Sequence, residues 1–377
     1  MNSSNRSSTD AHCILGAISK HTKTGLTCAY LLVFIAAIIG NSVVIYSVKS
    51  RTRLRISFNY FILNMACADL LHAFLAIPVS IAYLYVGTNW FSGPFALFLC
   101  KFIHYGLHTA IVVSITTLTA TTIERFLAAK LILKKPITSK MAQGLIAAIW
   151  IYALVITVHE AIKFNVVTYS NTSQPHCMPD IKGDWVKIYK IEITLKFLMA
   201  YAFPLVTMAT LYANIIWMLR QHSGSSLQTE QYQSIQRRKR NLIKRLVITT
   251  LVFAVCWLPV HINHFIGTFH YRVYTCMPQY WILIFYWLAH ANTAINPVLY
   301  LLLTKNARAL FKSSVHVAKP DGNENGSRRS GSRRLWMFQR FPSDSRLLTA
   351  CVSAMQSSES QGEEKGHEMN DLIENQQ

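Results

Sequence analysis

Apolar residues in this chain come in long blocks, not in the alternation of a half-buried strand or the one-sided stripe of a surface helix. Blocks of about 20 residues, the length that crosses a hydrocarbon core, occur seven times, over residues 26–48, 58–85, 97–128, 141–162, 188–219, 242–268 and 279–303. No internal repeat is visible at solenoid periods. The first block follows a polar head and lacks a small-residue cleavage site, so it reads as a span and not a secretory signal. The pattern predicts an all-α membrane protein, a seven-transmembrane helix bundle. Residues 1–25 form an N-terminal tail, 26–312 the spanning domain and 313–377 a tail of Ser, Gly, Arg and then Glu, expected to be disordered.

Composition agrees: 52% of the residues are hydrophobic and 14% charged, against about 25% charged in soluble domains. The net charge of +20 does not indicate nucleic acid, because the basic residues cluster between the blocks and in the last third. That distribution fits an anionic membrane face or an acidic partner beneath it. Lys49, Arg51, Arg53 and Arg55 fill the first gap, Lys130, Lys134, Lys135 and Lys140 the third, and Arg237 to Arg240 with Lys244 and Arg245 the fifth. Positive-inside bias therefore predicts a cytoplasmic C-terminus and an outer N-terminus, as for a multi-pass plasma-membrane protein. The glycosylation sequons at Asn2, Asn5 and Asn171 then face outward.

Cys100 at the outer end of the third block and Cys177 in the fourth gap share that oxidising side, where a bridge could clamp the loop. Cys13 and Cys276 are a second outer pair. Inside the blocks, Asn41, Asp69, Ser114, Asn292 and Asn296 are polar groups in hydrocarbon, where such residues face the bundle interior and mark function. Pro297 follows Asn296 and removes a helix hydrogen bond. The plain alternative is a set of interhelical hydrogen bonds holding the bundle together. Asp69 fits that less well, since a buried carboxylate takes up a proton or needs a cation.

Several short motifs then line up, one per block. "NMACADLL" in the second, "TTIERF" in the third, "FAVCWLP" in the sixth and "NPVLY" in the seventh resemble the signature motifs of rhodopsin-like, class A G-protein-coupled receptors. Gly40-Asn41, Trp150, Pro204 and Tyr212 fall where the other helices of that family carry theirs. The resemblance runs from Leu26 to Phe311 and is closest to the peptide-receptor branch. It implies a short amphipathic helix after the seventh span, an allosteric sodium ion held by Asp69, Ser114, Asn292 and Asn296, and no other cofactor. It also implies an activation switch of Glu124, Arg125, Ile115, Pro204, Tyr212, Phe253, Trp257, Pro259, Pro297 and Tyr300. In that switch a Glu124–Arg125 pair hides the arginine at rest, Pro259 kinks the sixth helix, and Pro297 lets Tyr300 swing inward. Phe126 stands where the family has tyrosine, and the sixth span opens on "RRKRN" without an acid to bridge Arg125.

For the ligand, Leu107 replaces the aspartate that amine receptors use and His290 the lysine of opsins. The outer face is polar and aromatic, with His104, Leu107, His108, Glu160, Glu192, Trp257, His261, His264 and His290 as candidate contacts, and the fourth gap is long enough for a hairpin lid. These features favour a peptide, with a lipid or other non-peptide ligand as the alternative. Of 14 histidines only His222, His316 and His367 fall on the cytoplasmic side. The one-turn spacings His104/His108 and His261/His264 also suit a transition metal or a proton-sensitive site. Expected partners are a heterotrimeric G protein, an arrestin at Ser353, Ser357, Ser358 and Ser360, and membrane lipids at the basic-aromatic stretch from Arg328 to Phe338. A seven-span transporter or channel is disfavoured by the lack of symmetric halves or a broken helix pair. No nucleophile–base pair or metal set is placed for catalysis, so no enzyme is expected.

Overall fold

The computed structural model describes residues 18–49, 57–130, 137–168, 174–180, 185–221 and 230–303. Its elements are α1 (Lys20–Lys49), α2 (Ser57–Val86), α3 (Pro94–Lys130), α4 (Ser139–Lys163), β1 (Phe164–Thr168), β2 (Pro175–Pro179), α5 (Trp185–Phe197), α6 (Phe203–Gln221), α7 (Glu230–Phe269), α8 (Tyr271–Thr275) and α9 (Gln279–Leu303). A single π turn, Leu198–Ala202, joins α5 to α6. Among the described residues seven helices are long and apolar enough to cross a membrane, with α5, the π turn and α6 forming the fifth. Their ends agree with the sequence blocks to within about one turn, except that α1 starts at Lys20 and α7 at Glu230, well before the blocks that open at 26 and 242. The short helix expected after the seventh span, Cys13, Asn2, Asn5, Asn171 and the C-terminal tail lie outside the described residues.

Burial is arranged as hydrocarbon requires. Leu32, Val155, Phe203 and Val206 are each more than three-fifths exposed, which suits contact with lipid chains. Asn41, Asp69, Asn64 and Glu124 are buried instead. Asn64 takes the indole N–H of Trp150 at 2.8 Å and donates to Thr117 Oγ1 at 2.8 Å, tying α2, α3 and α4 together. Among the described residues a large apolar cluster packs Ile115, Leu118, Tyr201, Met208, Phe253 and Trp257 between α3, the fifth span and α7.

Local chemistry sets the breaks. Gly87, at φ 61°, ends α2 with its N–H on the Tyr83 carbonyl; this left-handed conformation favours glycine. Pro204 has no N–H to offer the carbonyl of Ala200, and the backbone widens into the π turn over that step. Gly40 lets α1 approach α9, because a β-carbon there would stand 2.6 Å from Pro297 Cγ.

The fourth gap forms the expected hairpin. β1 and β2 pair antiparallel with Cys177 opposite Val166. Cys177 is bridged to Cys100 of α3, with 5.8 Å between the Cα atoms. The Cys177 N–H also donates to the Thr88 carbonyl, and that of Trp90 to the Pro175 carbonyl, so the loop after α2 grips the hairpin from the other side.

Candidate functional site

At the middle of the bundle, α2, α3 and α9 converge on Asp69. Its carboxylate accepts from Asn296 Nδ2 at 2.9 Å and from Ser114 Oγ at 3.2 Å. The side-chain oxygens of Asn292 and Asn296 are buried and have no hydrogen-bond partner among the described residues. A buried carboxylate, a hydroxyl and two unsatisfied amide oxygens form the oxygen-only donor set that suits a hard cation, so these residues fit a sodium ion.

Toward the end opposite the hairpin, Glu124 is buried and its carboxylate is paired with the Arg125 guanidinium. The same guanidinium lies over the Phe58 ring at 4.9 Å. Tyr212 places its hydroxyl 2.8 Å from Thr122 and 3.2 Å from Thr250, bridging α3, α6 and α7. Ile115, Pro204 and Phe253 are buried, and Trp257 stands with its ring centroid 6.1 Å from that of Phe253. Pro259 and Pro297 both sit inside unbroken helices. The Tyr300 ring lies under the Arg245 guanidinium at 5.3 Å.

At the hairpin end the acidic candidates are not open contacts. Glu160 of α4 is fully buried. Lys163 reaches Glu160 Oε2 at 2.9 Å and Glu192 Oε1 at 2.6 Å, and Lys196 contacts both carboxylates. His159 lies 3.3 Å from each acid, and His108 Nε2 lies 3.6 Å from Glu160. Two carboxylates and two ammoniums therefore neutralise one another, which is how charge survives burial. His159 and Lys196 were missed in the sequence, although Glu160/Lys163 at i,i+3 and Glu192/Lys196 at i,i+4 are spacings that bring side chains together on a helix.

The histidines separate in the same way. His104 and His108 each place Nδ1 on the backbone carbonyl four residues earlier, and His104 stacks on Phe164 of the hairpin at 3.6 Å. His264 Nε2 meets the Tyr286 hydroxyl at 3.0 Å, while His261 packs on Tyr201 at 4.6 Å. Neither spaced pair belongs to a grouping of three or more metal-ligating side chains that includes both its histidines, among the described residues. Among the described residues, one grouping with metal-ligating reach is His159, Glu160 and Glu192, whose acids already carry the two lysines. The other is Cys100, His104 and Cys177, whose thiols are consumed by the disulfide.

His290 joins His72 at 2.9 Å and Ser80 at 3.0 Å, a link between α2 and α9 one turn beyond Asp69 that sequence reading did not find. Leu107 is half-buried on α3 between His104 and His108.

The chain matches the family described as 7 transmembrane receptor (rhodopsin family) over residues 40–300. It is 29% identical to the RYamide receptor of Drosophila melanogaster over 76% of its own length and 62% of that receptor's. It is 30% identical to the Substance-K receptor of Rattus norvegicus, covering 75% of this chain and 72% of that one. With the QRFP-like peptide receptor of Branchiostoma floridae the identity is 31%, over 78% of each chain. By fold, motif and family match, this chain belongs to the rhodopsin family of seven-transmembrane receptors.

Proposed function

We propose that the chain is a plasma-membrane receptor that binds an extracellular peptide and activates heterotrimeric G proteins by rearranging its helices. The observation that carries the peptide reading is that relatives matched over three-quarters of the chain bear peptide names: RYamide, substance K and a QRFP-like peptide. The tethered hairpin supports it, because Cys100–Cys177 and the loop after α2 hold it as a lid against α3, with Phe164 stacked on the candidate contact His104. In this reading the hairpin and the N-terminus face outward, as the basic loops require. The ligand contacts are His104, Leu107, His108, Trp257, His261, His264 and His290, with Glu160 and Glu192 acting through their lysine partners.

Asp69, Ser114, Asn292 and Asn296 would hold sodium in the resting packing, and its charge would neutralise the buried carboxylate. Glu124 keeps Arg125 from the G protein until agonist binding shifts the population toward an opened packing. The serines from Ser353 to Ser360 serve an arrestin once phosphorylated, and the basic-aromatic tail lies on the inner leaflet. A peptide library applied to cells expressing the receptor, with nucleotide exchange as readout, tests the whole. A peptide that drives exchange only in expressing cells supports it. Lipid extracts that drive exchange where peptides fail would overturn the peptide reading.

A further inference from the structure

The geometry points to Arg245 as the positioning residue that holds Tyr300 in the resting packing, an inference that rests on the helix-rearrangement reading above. Arg245 lies on α7 near the end opposite the hairpin, next to Lys244, which is exposed. An arginine at such a depth ordinarily extends its head to water, yet Arg245 is only 9% exposed. Its Nη2 donates to the Tyr300 carbonyl at 3.3 Å, and its guanidinium lies 5.3 Å from the Tyr300 ring centroid. The Tyr300 carbonyl belongs to the last four residues of α9. Carbonyls there look outside the helix for donors, and a cation is favoured. The ring face adds a cation–π contact. One side chain thus grips a backbone acceptor and an aromatic face of the same residue.

Both residues line a cavity of about 40 Å³ that also touches Asp69, Asn296 and Thr121. The contact therefore borders the space next to the Asp69 network. Arg125 is anchored elsewhere, by Glu124 and Phe58, and so ties α3 to α2. Arg245 joins α7 to α9 at this end. Moving α7 outward must pull its guanidinium off Tyr300. Tyr300 cannot turn while the guanidinium covers its ring, so the contact biases the two-state equilibrium toward rest. The sixth span opens without an acid to bridge Arg125, and the Arg245–Tyr300 contact supplies a constraint on α7 that needs none.

The test uses the full-length receptor in lipid nanodiscs, without agonist or G protein. Spin labels at Lys130→Cys and Lys244→Cys, both exposed positions, report the distance between α3 and α7. Arg245→Met keeps bulk and removes the charge; it should raise the population of the longer distance about tenfold. Arg245→Lys, which keeps a cation, should restore part of the short-distance population. A distribution in Arg245→Met identical to wild type overturns the inference, as does a lysine variant indistinguishable from methionine. Folding is checked by thermal melting, and Arg245→Gln replaces the methionine variant if that one does not fold. Basal nucleotide exchange, read in parallel, should rise by a similar factor. A distance shift without a rise in exchange leaves Arg245 as the positioning residue and counts against the G-protein reading alone.

Discussion

The side-chain amide of Asn41 on α1 donates to the backbone carbonyl of Thr293 on α9 at 3.0 Å. Four residues on, Pro297 has no N–H to give that carbonyl. Asn41 therefore supplies from another helix the hydrogen bond that the proline removed, and Gly40 beside it provides the clearance. Asn41→Ala should cost about 1–3 kcal/mol, because a buried carbonyl in hydrocarbon loses its donor. Pro297→Ala returns an N–H to α9, so Asn41→Ala should cost measurably less in that background. Melting temperatures of the four proteins in nanodiscs check this. Equal losses in both backgrounds would remove the link between the two residues.

The Cys100–Cys177 bridge closes a loop across 77 positions and seats β2 on α3. In the chain-entropy model such a closure is worth about 4.5 kcal/mol. Cys177→Ala should lose most surface expression or ligand binding on intact cells. Normal binding by that variant would mean the hairpin stays seated on its hydrogen bonds to Thr88 and Trp90 alone.

Arg125 is paired with Glu124 and stacked on Phe58, so it supports no contact at the hairpin end. Arg125→Ala should bind ligand at the cell surface with near-normal affinity and lose nucleotide exchange by at least about tenfold. Exchange at the wild-type level would refute its part in the switch.

Sodium and agonist, if they favour different packings, must weaken each other by linkage. Replacing potassium by sodium at constant ionic strength should lower agonist affinity in the wild type. Asp69→Asn keeps the volume and removes the charge that a cation needs, so its agonist affinity should be the same in both salts. Radioligand competition on both proteins decides it. A wild-type affinity equal in the two salts would leave Asp69 as a hydrogen-bonding residue and withdraw the ion.

His72, His159 and Lys196 show where sequence reading stopped. The apolar blocks located all seven spans, because hydrocarbon accepts only long apolar helices and length is a local property, but not the polar starts of α1 and α7, which run outside the apolar blocks. The same constraint made Asn41, Asp69, Ser114, Asn292 and Asn296 conspicuous, since each polar group inside a span demands a partner. What each group is paired with depends on how every helix is rotated about its axis and how closely its neighbour approaches. Long-range packing sets both, and hydropathy does not encode them.

Thus Glu160 and Glu192 looked like open acids, and the fold gave them Lys163 and Lys196. Two histidines one turn apart looked like a metal pair, and the backbone carbonyls of α3 took their Nδ1 atoms. By itself the sequence determined the number, limits and polar contents of the spans, because those follow from transfer free energy along the chain. Only the tertiary structure decided that Asn41 answers Pro297 and that Arg245 closes on Tyr300, because both contacts exist only where two helices meet.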